Sequence, residues 1–450
     1  MVSCYNQLTK ATLMSWLHNT TRHYVCQVFA QNIPKKVRKM NRSILHCDMN
    51  NFYASVECML NPSLRNYPVA VCGSVEERHG IVLAKNYKAK AYDVKTGDAV
   101  WQAKQKCKDL IVVPPHFEEY IKYSRLARSI YSRYTDLVEP YGMDECWLDI
   151  SGTETIYGSP EQVAHLIKET IKFELGLTIS VGVSFNKIFA KLGSDMKKPD
   201  AVTIITKDGF KEQIWNLPAA DLLGVGRATQ KVLDSYCINT IGELANTNPN
   251  FLKTRLGKNG VSLWNFANGR DYSRVKNIDF ISPIKSVGHG ITTVRDLEKP
   301  DQVWPVFLEL TQEIGHKLRV HQKCAESVAI YIRDNTLFGK QWQVKLDMPT
   351  QSPMFLARAA FNLFEKRYDW SNPIRSVTIQ AINLIPQDTP RQIGFFMNIE
   401  KMEKTEKLEE CIETIRQRFG KDSIRNGVLF QNLRMPPEKA QITMPTGMIG

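Results

Sequence analysis

A chain of 450 residues with 43% hydrophobic content is too long for one compact core, so several domains are expected. Its formal net charge of +13 fits a polyanionic partner, nucleic acid or an anionic membrane surface, because basic side chains release counterions on binding, and it fits a merely basic soluble protein equally. The 10 cysteines are scattered without a C-x-x-C pair, which argues against a disulfide framework or a structural zinc site and for a reducing cytosol.

Residues 1–39 carry no signal-peptide pattern. Their apolar residues are interrupted by Lys10, His18, Arg22 and His23, and they read as a dispensable extension or an untranslated upstream stretch. No segment reaches the roughly 18 apolar residues that would span a bilayer. Ser43–Cys47 is a short apolar run ending at Asp48, the pattern of a buried strand that delivers a carboxylate at its end. Phe52–Leu60 has helical spacing and is stopped by Pro62. Val69–Cys72, Ile81–Leu83 and Ile111–Val113 read as strands around a lysine-rich mixed stretch. Tyr120–Leu137 is a helix, Trp147–Ile150 a strand, Val163–Leu175 a helix, Ile179–Val183 a strand, Lys187–Met196 a helix and Val202–Ile205 a last strand of this unit. Ile214–Asn268 is helical and broken at Gly224-Val225-Gly226, and residues 271–284 read as a polar linker. Alternation returns at Val328–Ile332, Gln343–Leu346 and Ser376–Ile385, with helices at 301–320 and 353–366 and a charged helix at 400–419.

Two acidic positions fall at strand ends, Asp48 and the pair Asp144-Glu145. Carboxylates with apolar flanks are costly to bury unless something positive offsets them, and a hard dication with oxygen ligands does so. On adjacent strands of one sheet the three carboxylates would make a site for two Mg²⁺ ions, which activate an attacking hydroxyl and stabilise a leaving phosphate. Tyr87, Lys90, Lys191 and Lys198 lie near turns or helix starts, where lysines can neutralise a triphosphate as point charges. Each motif alone is as readily an ordinary turn acid or a solvated lysine; it is their combination that points to chemistry.

Three segments in order, Asp48 to Glu57, Tyr141 to Ile150 and Ser180 to Lys187, resemble the Y-family translesion DNA polymerases of bacteria, and the resemblance runs over nearly the whole chain from Met40. It implies an α/β (α+β) multidomain right-hand fold. The palm would be 40–60 and 116–206, small fingers 61–115, a helical thumb with a helix-hairpin-helix 207–270 and an α/β little finger 285–390, followed by a tail from 391 to 450. It implies that Asp48, Asp144, Glu145 and the Met49 carbonyl hold the metals. Tyr53 would be the steric gate against a 2′-hydroxyl, and Asn51, Phe52, Tyr87, Lys90, Lys191 and Lys198 would face the incoming deoxynucleoside triphosphate. Gly224 and Gly226 would approach primer–template DNA through backbone N–H groups, and Ser286, Thr292 and Arg295 would meet its phosphates. Gln392, Ile393, Phe395 and Phe396 resemble the short peptide that docks on the bacterial sliding clamp. Two departures stand out: Asn50 where many relatives carry a second Asp, and Lys90 where many carry Arg, which removes a bidentate fork. The Asn-Asn-Phe-Tyr wording is closer to the UmuC-like and Gram-positive branches than to the commonest polymerase IV pattern. The expectation is a monomeric cytoplasmic polymerase of low fidelity. The rivals are a nucleotide cyclase on the same palm, which would act without primer–template, and a non-catalytic DNA-binding scaffold, which would not need all three acids.

Overall fold

The computed structural model describes residues 42–430 apart from 77, 79 and 391–398, so the N-terminal extension and the Gln392–Phe396 peptide lie outside the described residues. The chain opens with β1 (Ile44–Met49) and α1 (Phe52–Leu60), then β2 (Val69–Cys72), β3 (Val82–Lys85), α2 (Tyr87–Lys90), α3 (Val100–Lys106) and β4 (Ile111–Val113). It continues through α4 (Phe117–Tyr131), β5 (Val138–Tyr141), β6 (Glu145–Asp149), α5 (Glu154–Tyr157), α6 (Pro160–Leu175), β7 (Ile179–Ser184), α7 (Lys187–Met196) and β8 (Val202–Ile205).

Strands β5-β6-β1-β7-β8 form one five-stranded sheet, with β1 antiparallel to both neighbours. Side chains alternate along β1. Leu45, Cys47 and Met49 enter a core shared with Tyr120, Ile130, Ile167 and Ile171 of α4 and α6. Ile44 points the other way, toward Trp147 and Ala190 under α7, and by parity His46 and Asp48 take that face too. Helix α7 lies directly on the sheet because Gly182 has no side chain: a Cβ there would stand 1.9 Å from the Ala190 carbonyl oxygen and 2.5 Å from the Ser194 nitrogen. The Asn50 side chain ties the sheet end together, donating to Ser180 Oγ at 2.9 Å and accepting from the Asp200 N–H at 2.9 Å. Asn50 serves both bonds as an uncharged group, which spares this buried position a charge.

Strands β3-β2-β4 make a small separate sheet around Ala70, Val82, Ala89 and Leu110. A helical unit follows: α8 (Phe210–Ile214), α9 (Arg227–Asp234), α10 (Ile241–Asn246) and α11 (Pro249–Ala267), packed on Leu222, Leu233, Leu244 and Leu263. Gly224 takes φ 96° and Gly226 precedes α9 as its N-cap, but the element before this turn is a single 3-10 turn, Ala219–Asp221, so the hairpin is shorter than the resemblance implies. Residues 271–284 contain no helix or strand, yet they are not a free tether. The Lys276 N–H donates to Glu139 at 3.0 Å, the Ile278 N–H to the Asp136 carbonyl at 2.9 Å, and Val275 is buried beside Trp147.

The last unit is a four-stranded antiparallel sheet, β11-β10-β12-β9, built from β9 (Ser286–Leu297), β10 (Lys323–Asp334), β11 (Gly339–Thr350) and β12 (Ile374–Pro386). Helices α12 (Pro300–Val320) and α13 (Pro353–Arg367) cover one face. The other face carries polar side chains, among them Ser286, Thr292, Gln341 and Gln343. Helix α14 (Ile399–Phe419) is docked on this unit. Its Glu409 accepts from Ser352 Oγ at 2.8 Å and from the Met354 N–H at 3.3 Å, capping α13, while Arg416 donates to Gln312 at 2.7 Å.

Replacing Gly182 by Ala should lift α7 from the sheet. We expect a loss of about 1–3 kcal/mol in urea unfolding, the usual range for overpacking a closed core. A neutral result would mean that the helix can shift without cost.

Candidate active site

Asp48 is the fifth of six residues in β1, and Glu145 is the first of β6; the two are directly opposite across the ladder. The Met49 N–H donates to the Asp144 carbonyl at 3.0 Å, clipping the turn before β6 onto the end of β1. That turn needs Gly142 at φ 76° and is held from α4, where Arg128 donates to the Gly142 carbonyl at 3.0 Å and Ser124 to the Met143 carbonyl. The three carboxylates expected from the sequence therefore share one sheet end.

They floor a cleft of about 650 Å³. Asn51, Phe52 and Tyr53 line it from the start of α1, and Asn51 turns the chain there in the left-handed region at φ 48°, which Asn tolerates better than most residues. Leu83, Ala84 and Lys85 line it from β3, Thr96 from the turn before α3, Asp195 from the end of α7 and Lys198 from just beyond it. Tyr87, Lys90 and Lys191 are not among the lining residues. Lys90 Nζ lies 5.7 Å from the Tyr87 ring centroid, and Lys191 pairs with Glu145. The sequence reading missed Lys85, Thr96 and Asp195, none of which sits in a recognisable local pattern. It also missed His46, whose Nε2 lies 3.1 Å from Glu145 Oε2.

Burial divides the three acids. It pushes the Asp48 carboxyl up to about 7, although Lys198 Nζ donates to it at 2.6 Å. It pushes Asp144 up to about 6, helped by the neighbouring charge of Glu145. Burial also acts upward on Glu145, but His46 and Lys191 outweigh it and hold that carboxyl down at about 2. The Lys198 ammonium is disfavoured by burial, yet Asp48 and Asp195, the latter at 2.9 Å, raise it above the ordinary lysine range.

The donor set suits a hard dication: carboxylate oxygens at one sheet end, two of them with more burial than the lysines compensate. Among the described residues, however, no three His, Cys, Asp or Glu side chains converge to hold an ion. Asp48 leans on Lys198 and Glu145 on Lys191.

The Tyr53 ring is fixed from two sides. It stacks on Tyr120 at 4.2 Å between centroids and 9° between planes, and its hydroxyl donates to Met143 Sδ at 3.2 Å. Tyr120 is held in turn by its hydroxyl, which donates to the buried Glu57. Gly224, Gly226, Ser286, Thr292 and Arg295 do not line this cleft. Ser286 and Thr292 lie on the helix-free face of β9, and Arg295 is exposed farther along that strand.

Residues 47–195 match the impB/mucB/samB family, and residues 284–395 match the C-terminal domain of the same family. The chain is 50% identical over 393 residues to DNA polymerase IV of Acetivibrio thermocellus, a match covering 87% of this chain and 98% of that protein. It is 37% identical to DNA polymerase IV 1 of Bacillus subtilis, covering 87% of this chain and 94% of that one. A solved Y-family DNA polymerase chimera superposes with a TM-score of 0.67 at 22% identity, covering 76% of this chain and 99% of the chimera, which shows a shared fold. Both curated relatives are polymerases IV, so the Asn50-Asn51 wording does not set the chain apart from that branch.

A carboxyl raised in the folded state binds more protons there than in the unfolded chain, so its contribution is fully present below pH about 4 and is lost as pH rises toward about 6. In chelator, Asp144→Asn should therefore stabilise the protein by about 1–2 kcal/mol at pH 8 and by little at pH 4. Equal melting shifts at both pH values would refute the burial account.

Proposed function

The chain belongs to the impB/mucB/samB family, in its DNA polymerase IV branch, and we propose that its cleft extends a primer on a DNA template by phosphoryl transfer at Asp48, Asp144 and Glu145. The observation that carries this is the pairing of Asp48 with Glu145 across β1 and β6, with Asp144 clipped to Met49, at the floor of a cleft rimmed by Lys85 and Lys198. Enzymes of this family are metal-dependent, and two Mg²⁺ ions when bound would acidify the primer 3′-hydroxyl and neutralise the departing pyrophosphate. Asp48, Asp144, Glu145 and the Met49 carbonyl would hold them.

The chain's own groups do the rest. Lys198 and Lys191 exchange their carboxylate partners for phosphate oxygens of the incoming deoxynucleotide, with Tyr87 and Lys90 behind them. Asn51 and Phe52 offer the backbone at the start of α1. The Tyr53 ring, braced by Tyr120 and Met143, lies under the sugar and leaves no room for a 2′-hydroxyl. The loop at Gly224 and Gly226 and the helix-free face of β9, with Ser286, Thr292 and Arg295, grip the duplex backbone. A nucleotide cyclase would need neither of these two units. Low fidelity and lesion bypass follow from the small fingers unit, which contributes just Leu83, Ala84, Lys85 and Thr96 to the cleft wall. Docking of Gln392, Ile393, Phe395 and Phe396 on a sliding clamp belongs to the same proposal.

Primer extension tests the reading. With Mg²⁺, the wild type should extend both a plain and an abasic template, and Asp144→Ala/Glu145→Ala should lose on the order of 10³-fold in rate, the loss expected for several kcal/mol of charge stabilisation. DNA binding without extension by either protein would sink it. Tyr53→Ala should raise ribonucleotide insertion relative to deoxynucleotide by at least about tenfold; an unchanged ratio would remove Tyr53 from sugar selection.

A further inference from the structure

We propose that His46 is a positioning residue for the third carboxylate, holding Glu145 from inside the sheet in the orientation that meets the cation. The inference rests on the reading of Asp48, Asp144 and Glu145 as cation ligands.

His46 stands two residues before Asp48 on β1, so both side chains take the α7 face. Its register partners are Trp147 on β6 and Gly182 on β7. The ring is fully buried, edge-on to Trp147 at 5.2 Å between centroids. Ile44, Trp147 and Ala190 make an apolar cluster on this face, where an apolar side chain would fill the space at lower desolvation cost. A polar ring in such a place must be matched, and His46 is matched on one side by Ser194 Oγ, 2.8 Å from Nδ1. Ser194 Oγ lies 2.7 Å from the Lys191 carbonyl one turn back along α7; with its hydroxyl turned to donate to Nδ1 instead, the ring carries its proton on Nε2 and can donate to Glu145. This anchoring aims Nε2 at Glu145 Oε2, 3.1 Å away. Nε2 is sealed from solvent and makes no well-aligned hydrogen bond while Glu145 leans on Lys191.

The geometry suits a holder better than a participant. Nothing outside the protein can touch a ring with no exposed surface. Glu145 has one more rotatable bond than Asp48 or Asp144, so it loses most orientation if left unsupported. Lys191 is a weak brace for it, being a flexible ammonium that turns to phosphate when nucleotide arrives. His46, locked between Ser194 and Trp147, is the contact that stays. Partners of this kind behind metal ligands change metal affinity by about 10–100-fold.

The test uses the full chain on a dideoxy-terminated primer–template, with Mn²⁺ binding read by electron paramagnetic resonance so that no turnover is needed. His46→Phe keeps the ring and removes its nitrogens. We expect its Mn²⁺ affinity to fall about tenfold with the melting temperature held. We also expect the Mg²⁺ concentration for half-maximal extension to rise to match while the nucleotide KM at saturating Mg²⁺ is unchanged. His46→Gln, which restores a donor, should recover part of the affinity. Wild-type Mn²⁺ affinity in a stable His46→Phe protein would overturn the proposal and leave His46 as packing. If His46→Phe does not fold, Ser194→Ala, which frees the ring, is read the same way, and unchanged affinity again overturns it. Absence of Mn²⁺ binding by the wild type would instead overturn the cation-site reading on which this one rests.

Discussion

Three carboxylates are drawn into one poorly hydrated sheet end, and most of the local architecture follows from that. Each charge removed from water costs several kcal/mol unless a countercharge or hydrogen bonds replace the solvent. The register that sets Asp48 opposite Glu145, with Asp144 clipped to Met49, leaves no way to spread these charges apart. The cleft must therefore collect positive charge, and Lys198 and Lys191 supply part of it.

Helix α7 is the device that brings those lysines in. It rests on the bare backbone at Gly182, and this close seat places Lys191, Ser194 and Asp195 along one edge and Lys198 just past its end. The same matching of acids by donors recurs away from the cleft at two half-buried positions. Glu139 on β5 is met by Lys187 at 2.8 Å and by the linker N–H of Lys276, and Glu409 on α14 caps α13. Glu139 fastens the linker to its sheet and Glu409 fastens α14 to α13, so charge matching also sets how segments are joined.

Much of this was legible in the sequence where the signal is local. The apolar run before Asp48, the acid pair before Trp147 and the helical periodicity of α6 and α7 are short-range patterns, and the elements formed there. The strand β5 was not seen because Glu139 and Pro140 break its alternation, and β9 was not seen because Gly288 and Gly290 interrupt it. Helix α4 ends at Tyr131, earlier than its periodicity suggests, because the chain must turn to start β5. Lys85, Thr96 and His46 gave no signal at all. Each is a lone residue in an ordinary strand or loop, and its role comes from what lies across the fold at sequence separations of 11 to 148. The Asn50 departure became intelligible once its buried bonds to Ser180 and Asp200 were in view.

The lysine–carboxylate pairs have a thermodynamic consequence. Lys198 cannot give its full charge to Asp48 and to a triphosphate at once, and Asp48 cannot face both Lys198 and a dication. Whichever of the two, cation or nucleotide, reaches the cleft first frees the partner that the other requires. Their affinities are then linked, and by reciprocity each must strengthen the other by the same factor. The cleft therefore favours taking up cation and nucleotide as a pair over taking up either alone.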